Sequence, residues 1–187
     1  MFDDRNTTSS QNAADFRRVM IAVDGSKAST DALHVGADLA KRLGAAIAVV
    51  HVLDLAKDFT PELGFLDDGR FEAVRTAGKV ALDKAHHEIY PAGDAGVIPV
   101  TRLLREGDAA FEIVEAADTW RADVIVIGTH ARGTIGRLLL GSTAEAVLRR
   151  AHCPVLTVRH LPAKPTEFTT RPISEAAAET QTSGAPG

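Results

Sequence analysis

Apolar and polar positions along the middle of this chain follow two periods, and the period switches at regular intervals. Arg18-Val-Met-Ile-Ala-Val23 is a short apolar run that stops at Asp24-Gly25-Ser26. Beyond it, Leu33, Ala37 and Ala40 recur at helical spacing, and Gly44 stands where such a helix would close. Ala46-Ile-Ala-Val-Val-His-Val52 predicts a second strand. Leu55 to Arg70 reads as loop, broken by Pro61, Gly64 and Gly69, and then Phe71, Val74, Gly78, Ala81, Leu82, Ala85 and Ile89 mark a second helix. Val97 to Leu104 predicts a third strand, turned by Glu106-Gly107-Asp108 into a helix with Asp108 as N-cap. That helix presents Ala110, Ile113, Val114, Ala117 and Trp120. Asp123 to Ile127 is the fourth strand, Ser142 to Ala151 the last full helix, and Pro154 to Arg159 the fifth strand.

Strands separated by single helices do not pair as hairpins; they build a parallel sheet through right-handed crossovers. The continuous apolar runs agree, because such a sheet is covered by helices on both faces. The expectation is an α/β fold, a single-domain open sheet of five parallel strands. Ligands of such sheets sit beyond the C-terminal strand ends, where the winding reverses. Two strand exits here are polar and contain glycine: Asp24-Gly25-Ser26, and Gly128-Thr129-His130. If their strands are neighbours, the two loops face each other across one crevice.

The ends differ in character. Residues 1–15 are rich in Asn, Thr, Ser, Gln and Asp, and from Leu161 the chain mixes Pro, Thr, Ala, Glu and Gly. Both read as disordered tails, leaving residues 16–160 as the folded domain. Hydrophobic residues at 45% and charged residues at 25% suit a soluble domain. A formal net charge of -4 offers no general attraction to nucleic acid or to an anionic membrane. Cys153 is the single cysteine, so an internal disulfide is excluded and a reducing compartment fits. The acidic start lacks the form of a signal peptide, and no apolar run reaches the roughly 20 residues of a membrane helix. These features lead to an expectation of a cytoplasmic protein.

The segment from Ala122 through Ile127, Gly128 and the polar stretch to Gly141-Ser142 has a distinct chemistry. An apolar β-branched run ends in a glycine-containing loop, and a helix starts at Gly-Ser. Free backbone N–H groups and a hydroxyl then converge on one place, an arrangement that suits a phosphate. It is not a Walker sequence, since no lysine precedes the serine. There is no nucleophile elbow and no zinc-ligand spacing either.

The stretch Val19–Ser26, His51-Val-Leu-Asp54, Gly128 through Gly141-Ser142, and Cys153-Pro-Val-Leu-Thr-Val158 together resemble the universal stress protein family, from about Arg17 to His160. The resemblance implies strand order 3-2-1-4-5, which makes the first and fourth strands neighbours. In the nucleotide-binding branch a glycine, two residues, a glycine, nine residues and then Gly-Ser or Gly-Thr hold ATP. Gly128, Gly141 and Ser142 keep that spacing, whereas Ala131 stands at the second glycine. Where that position needs positive φ, alanine costs about 1–2 kcal/mol. Where the glycine only admits a close phosphate, a methyl group crowds it.

The resemblance further implies that Asp24 contacts adenine and ribose, that Ala22 and Ile127 line the base pocket, and that Val52 meets the adenine edge through its backbone. Gly128 would lie against the ribose. The N–H groups of Ala131, Gly141, Ser142 and Thr143, with the Ser142 hydroxyl, would hold the phosphates, and Arg132 would add a charge-assisted bond. Magnesium would accompany the nucleotide. Relatives dimerise through the fifth strand, which here is Val155-Leu-Thr-Val158 and would otherwise be an open sheet edge.

Several of these residues also have plain structural readings. Asp24-Gly25-Ser26 is also a strand-to-helix turn with Ser26 as N-cap, and Gly141-Ser142 is also a cap. Arg132 and Arg137 also read as solvated loop residues. His51 reads as a hydrogen-bonded strand histidine, and His86-His87-Glu88 as a helix surface, since adjacent helical side chains diverge by about 100°. His130 fits a phosphate contact and loop packing equally well. Cys153 reads as a small apolar residue. With no catalytic base evident, the expected function is that of an ATP-binding, nucleotide-responsive regulator or binding module. The alternatives are a nucleotide-free interaction protein and, last, a slow ATPase.

Overall fold

Nine regular elements account for the described part of the chain, a computed structural model in which residues 16–54, 68–91, 98–129 and 141–160 are described. In chain order they are β1 (Arg18–Ala22), α1 (Lys27–Leu43), β2 (Ala46–Leu53), α2 (Asp68–Ile89), β3 (Val100–Glu106), α3 (Ala109–Trp120), β4 (Val124–Thr129), α4 (Ser142–Arg150) and β5 (Val155–Arg159). The five strands form one sheet of order β3-β2-β1-β4-β5, with every neighbouring pair parallel. The expected architecture and strand order are therefore those observed. The two tails and residue stretches 55–67, 92–97 and 130–140 lie outside the described residues.

Both faces of the central strands β2, β1 and β4 are buried, which explains why these strands read as continuous apolar runs. Val19, Ile21, Ile47, Val49 and Val126 face α1 and α2, packing with Leu33, Ala37, Leu82 and Ile89. Their alternate neighbours Met20, Ala22, Val50, Ile125 and Ile127 face α3 and α4, packing with Ile113, Val114, Ala117 and Val147. Each fully buried Val or Ile contributes about 1.5–3 kcal/mol over its exposed state. These two layers therefore hold the strand ends in place.

Helix boundaries follow local chemistry. Ser26 caps α1, its hydroxyl accepting from the Ser29 amide at 3.2 Å. Gly44 closes the helix at φ 64°, donating to the carbonyls of the last turn. Asp108 caps α3, accepting from the Phe111 amide at 2.9 Å. Arg121 ends that helix at φ 55°, where the sequence contains no glycine.

Three elements differ from expectation by two residues or more at a boundary. The second helix begins at Asp68, ahead of Phe71. The third strand runs Val100–Glu106 because its polar end residues Arg105 and Glu106 continue the ladder with Val52 and Leu53. The fourth extends through Gly128 and Thr129, which pair with Val158 and Arg159 of β5.

Candidate nucleotide site

β1 and β4 are neighbours, and Ala22 pairs in register with Ile127 at their C-terminal ends. Both side chains are buried on the α3 and α4 face, so the two expected base-pocket residues form one apolar floor. Ala22 also pairs with Val50 of β2, which carries Val52 two residues further along, half-buried on the same face. The parallel sheet thus brings Ala22, Ile127 and Val52 to one end and one side.

Asp24 follows Val23 at the β1 exit and is exposed. Its Oδ1 accepts from the Ser26 amide at 2.9 Å, and its own amide donates to Ser29 Oγ at 3.3 Å. Gly25 takes φ 78° between them. The turn reading of Asp24-Gly25-Ser26 therefore holds: a capped turn keeps the Asp24 carboxylate at the strand end. Local bonds of this kind orient the carboxylate without burying it.

Gly128 has a packing reason that its spacing alone did not disclose. A Cβ at this position would stand 2.5 Å from the carbonyl carbon and oxygen of Ala28 and 2.7 Å from the Ser29 nitrogen. The end of β4 is thus in backbone contact with the first turn of α1. Only a residue without a side chain allows the end of β4 and the first turn of α1 to approach this tightly.

α4 begins at Ser142 with Gly141 as N-cap, and no side chain of the described residues caps it. Its backbone ladder starts with the Glu145 amide bonding to the Gly141 carbonyl at 2.9 Å, so the amides of Ser142, Thr143 and Ala144 precede the ladder. Ser142 is exposed and Thr143 half-buried, while Ala144 packs in the same core cluster as Ala22 and Ile127. The start of α4 therefore lies on the side of the sheet that carries the apolar floor. The residues present fit an anionic nucleotide: helix-terminal amides and a hydroxyl at one end, apolar surface at the other, and a carboxylate at the rim. Ala131 and Arg132 lie outside the described residues, as do His130 and Arg137.

The remaining candidates resolve structurally. His51 Nδ1 is 2.8 Å from the Val23 carbonyl oxygen, which requires the ring proton on Nδ1 and makes this a strand-tying histidine. His86 stacks edge-on against Tyr90 at 5.8 Å, and Glu88 meets Lys84 and His34. Among the described residues no group of three His, Cys, Asp or Glu side chains is placed to hold a metal ion. Cys153 is half-buried, and burial together with the nearby Asp118 and Asp123 carboxylates raises its thiol above the usual range. An open cleft between α1 and α2, lined by Val23, Thr30, Leu33, Lys84 and Glu88, lies on the opposite face from the apolar floor. No helix among the described residues is long and apolar enough to cross a membrane.

One residue at this sheet end escapes a reading of the sequence. Arg105 pairs with Val52 across the β2–β3 border, and its Nε is buried without a hydrogen-bond partner. The signal lies in the strand alternation, since Arg105 follows Leu103 by two residues.

Comparison with known proteins agrees with this architecture. A universal stress protein of Methanocaldococcus jannaschii is 32% identical over 144 residues, covering 77% of this chain and 82% of that protein. The crystal structure of a universal stress protein family member from Burkholderia pseudomallei is 31% identical, with a TM-score of 0.59 over 76% of this chain and 96% of that one. A universal stress protein of Archaeoglobus fulgidus, solved in complex with dAMP, shares the fold at 24% identity and a TM-score of 0.56, over 76% of this chain and 98% of its own. The model of the universal stress protein family matches residues 15–159, the stretch that contains all nine elements and both strand exits, and this chain belongs to that family.

Proposed function

We propose that this chain binds ATP, with magnesium accompanying the nucleotide, at the C-terminal ends of β1 and β4, and that it acts as a nucleotide-responsive regulator or binding module. The observation that carries the reading is the register pair Ala22 and Ile127 beneath Asp24 and Gly128, with the uncapped start of α4 on the same face. The base rests on Ala22 and Ile127 and meets the Val52 backbone. Asp24 accepts from ribose hydroxyls or the exocyclic amine, and Gly128 lies against the ribose. The amides of Gly141, Ser142 and Thr143 with the Ser142 hydroxyl take the phosphates, joined by Ala131 and Arg132 from the segment preceding them in the chain. The dAMP complex of the Archaeoglobus relative supports the class of ligand.

The sequence offers no evident catalytic base, so binding rather than turnover is the proposed activity, with at most slow hydrolysis. The protein works in the cytoplasm as a homodimer joined through β5, whose Leu156 is an exposed apolar residue on a sheet edge.

A thermal-shift series with ATP, AMP and GTP tests the reading. Ligand affinity for the folded state alone raises the melting temperature by the linkage relation, about 2.7 kcal/mol at a hundredfold excess over Kd. A rise with millimolar ATP supports the proposal. No shift, and no nucleotide retained through purification, leaves a nucleotide-free interaction protein instead.

A further inference from the structure

Arg105 is the penultimate residue of β3 and pairs in register with Val52. Strand alternation places it with Leu103 on the face where Val52 and Leu103 pack toward α3. Its neighbours on the other face have partners: Arg102 pairs with Asp83, and Glu106 with Arg75 at 3.2 Å, both across to α2. Arg105 stands apart. Among the described residues its Nε is the one buried side-chain nitrogen or oxygen without a hydrogen-bond partner.

A guanidinium carries donors only, so satisfying that buried N–H requires an acceptor. Adjacent strands lie about 4.8 Å apart, which puts the Arg105 backbone one strand spacing from the place where a base would meet Val52. A purine supplies what the side chain lacks, ring nitrogens that accept hydrogen bonds. We propose that Arg105 is a base-reading residue of this same pocket, donating to an acceptor edge of the purine seated at Val52. The inference rests on the nucleotide reading above and deepens it.

The chemistry also sets a preference. A 6-oxopurine presents two adjacent acceptors, N7 and O6, and arginine meets such a pair with two parallel bonds. Adenine offers N7 beside an exocyclic amine that only donates. Arg105 therefore narrows the discrimination against guanine nucleotides, which the Asp24 and Val52 contacts alone would set in favour of adenine.

Calorimetric titration of the full chain with ATP and GTP decides the matter, using Arg105→Met, which keeps the apolar stem, and Arg105→Lys, which keeps a donor. Arg105→Met is expected to weaken GTP by about tenfold and ATP by less, with Arg105→Lys intermediate. Circular dichroism melts of each variant without ligand verify that the fold persists. Equal weakening of both nucleotides, or Kd values unchanged within about twofold for a wild type that binds ATP, overturns the role of Arg105 alone. Binding of neither nucleotide by the wild type removes the pocket reading and this inference with it.

Discussion

Gly128 and Ala28 approach so closely that a Cβ on the glycine would stand 2.5 Å from both atoms of the Ala28 carbonyl. This contact joins the C-terminal end of β4 to the first turn of α1. It fixes the spacing between the two elements, because backbone meets backbone there and no rotamer change can relieve it.

Gly128→Ala is accordingly expected to destabilise the fold by about 1–3 kcal/mol, measured by urea denaturation. Gly44→Ala should cost about 1–2 kcal/mol for a different reason, its φ of 64° with open space around it. Asparagine separates the two causes. Gly44→Asn should recover much of the loss, since asparagine tolerates the left-handed region, whereas Gly128→Asn should recover none.

Asp24 combines a turn bond with the proposed ligand contact, and isosteric replacement distinguishes them. The substitution Asp24→Asn keeps an amide oxygen in place of the Oδ1 that now accepts from the Ser26 amide at 2.9 Å. This variant should therefore melt closer to wild type than Asp24→Ala does, while its ATP affinity falls by roughly tenfold, about 1.4 kcal/mol. Full affinity in Asp24→Asn would mean that the carboxylate serves the turn alone.

The Cys153 thiol is raised from its ordinary value of 9.0 by burial and by the Asp118 and Asp123 carboxylates. The folded state thus holds its proton where the unfolded chain has released it. The stability from this group is present below the ordinary value and is lost as pH rises toward the raised one. Denaturation midpoints should fall more steeply above about pH 9 in the wild type than in Cys153→Ala. Alkylation of the native thiol should also be slower than that of a free cysteine at the same pH.

Leu156 lies on the edge strand with 38% exposure. Leu156→Lys is expected to convert the proposed dimer to a monomer in light scattering while leaving the melting temperature of the monomer fold unchanged within a few degrees. A wild type that is already monomeric at tens of micromolar, as its mass in solution would show, removes the β5 interface.

Strand identity, helix faces, the Ser26, Gly44 and Asp108 caps and the parallel sheet are legible in the sequence because each depends on near neighbours in the chain. Apolar residues alternate or recur by local period, and caps act within three or four residues. The candidate site is legible in part for the same reason: Asp24 ends one run and Gly128 another. Arg105 is not, because a charged residue at a strand end is ordinarily solvated, and only the register with Val52 shows its Nε to be buried. The third strand shifts toward Glu106 because partners on β2 and α2 stabilise polar residues that local pattern assigns to a turn.

By itself the sequence determined the α/β class, the number and order of elements along the chain, and the polar strand exits, all of which arise from short-range periodicity and turn chemistry. Tertiary structure decided what those exits are next to. The pairing of Ala22 with Ile127, the backbone contact between Gly128 and Ala28, and the place of Arg105 beside Val52 join residues far apart in the chain. Local propensity has no term for such distances; close packing of both faces of the sheet supplies it.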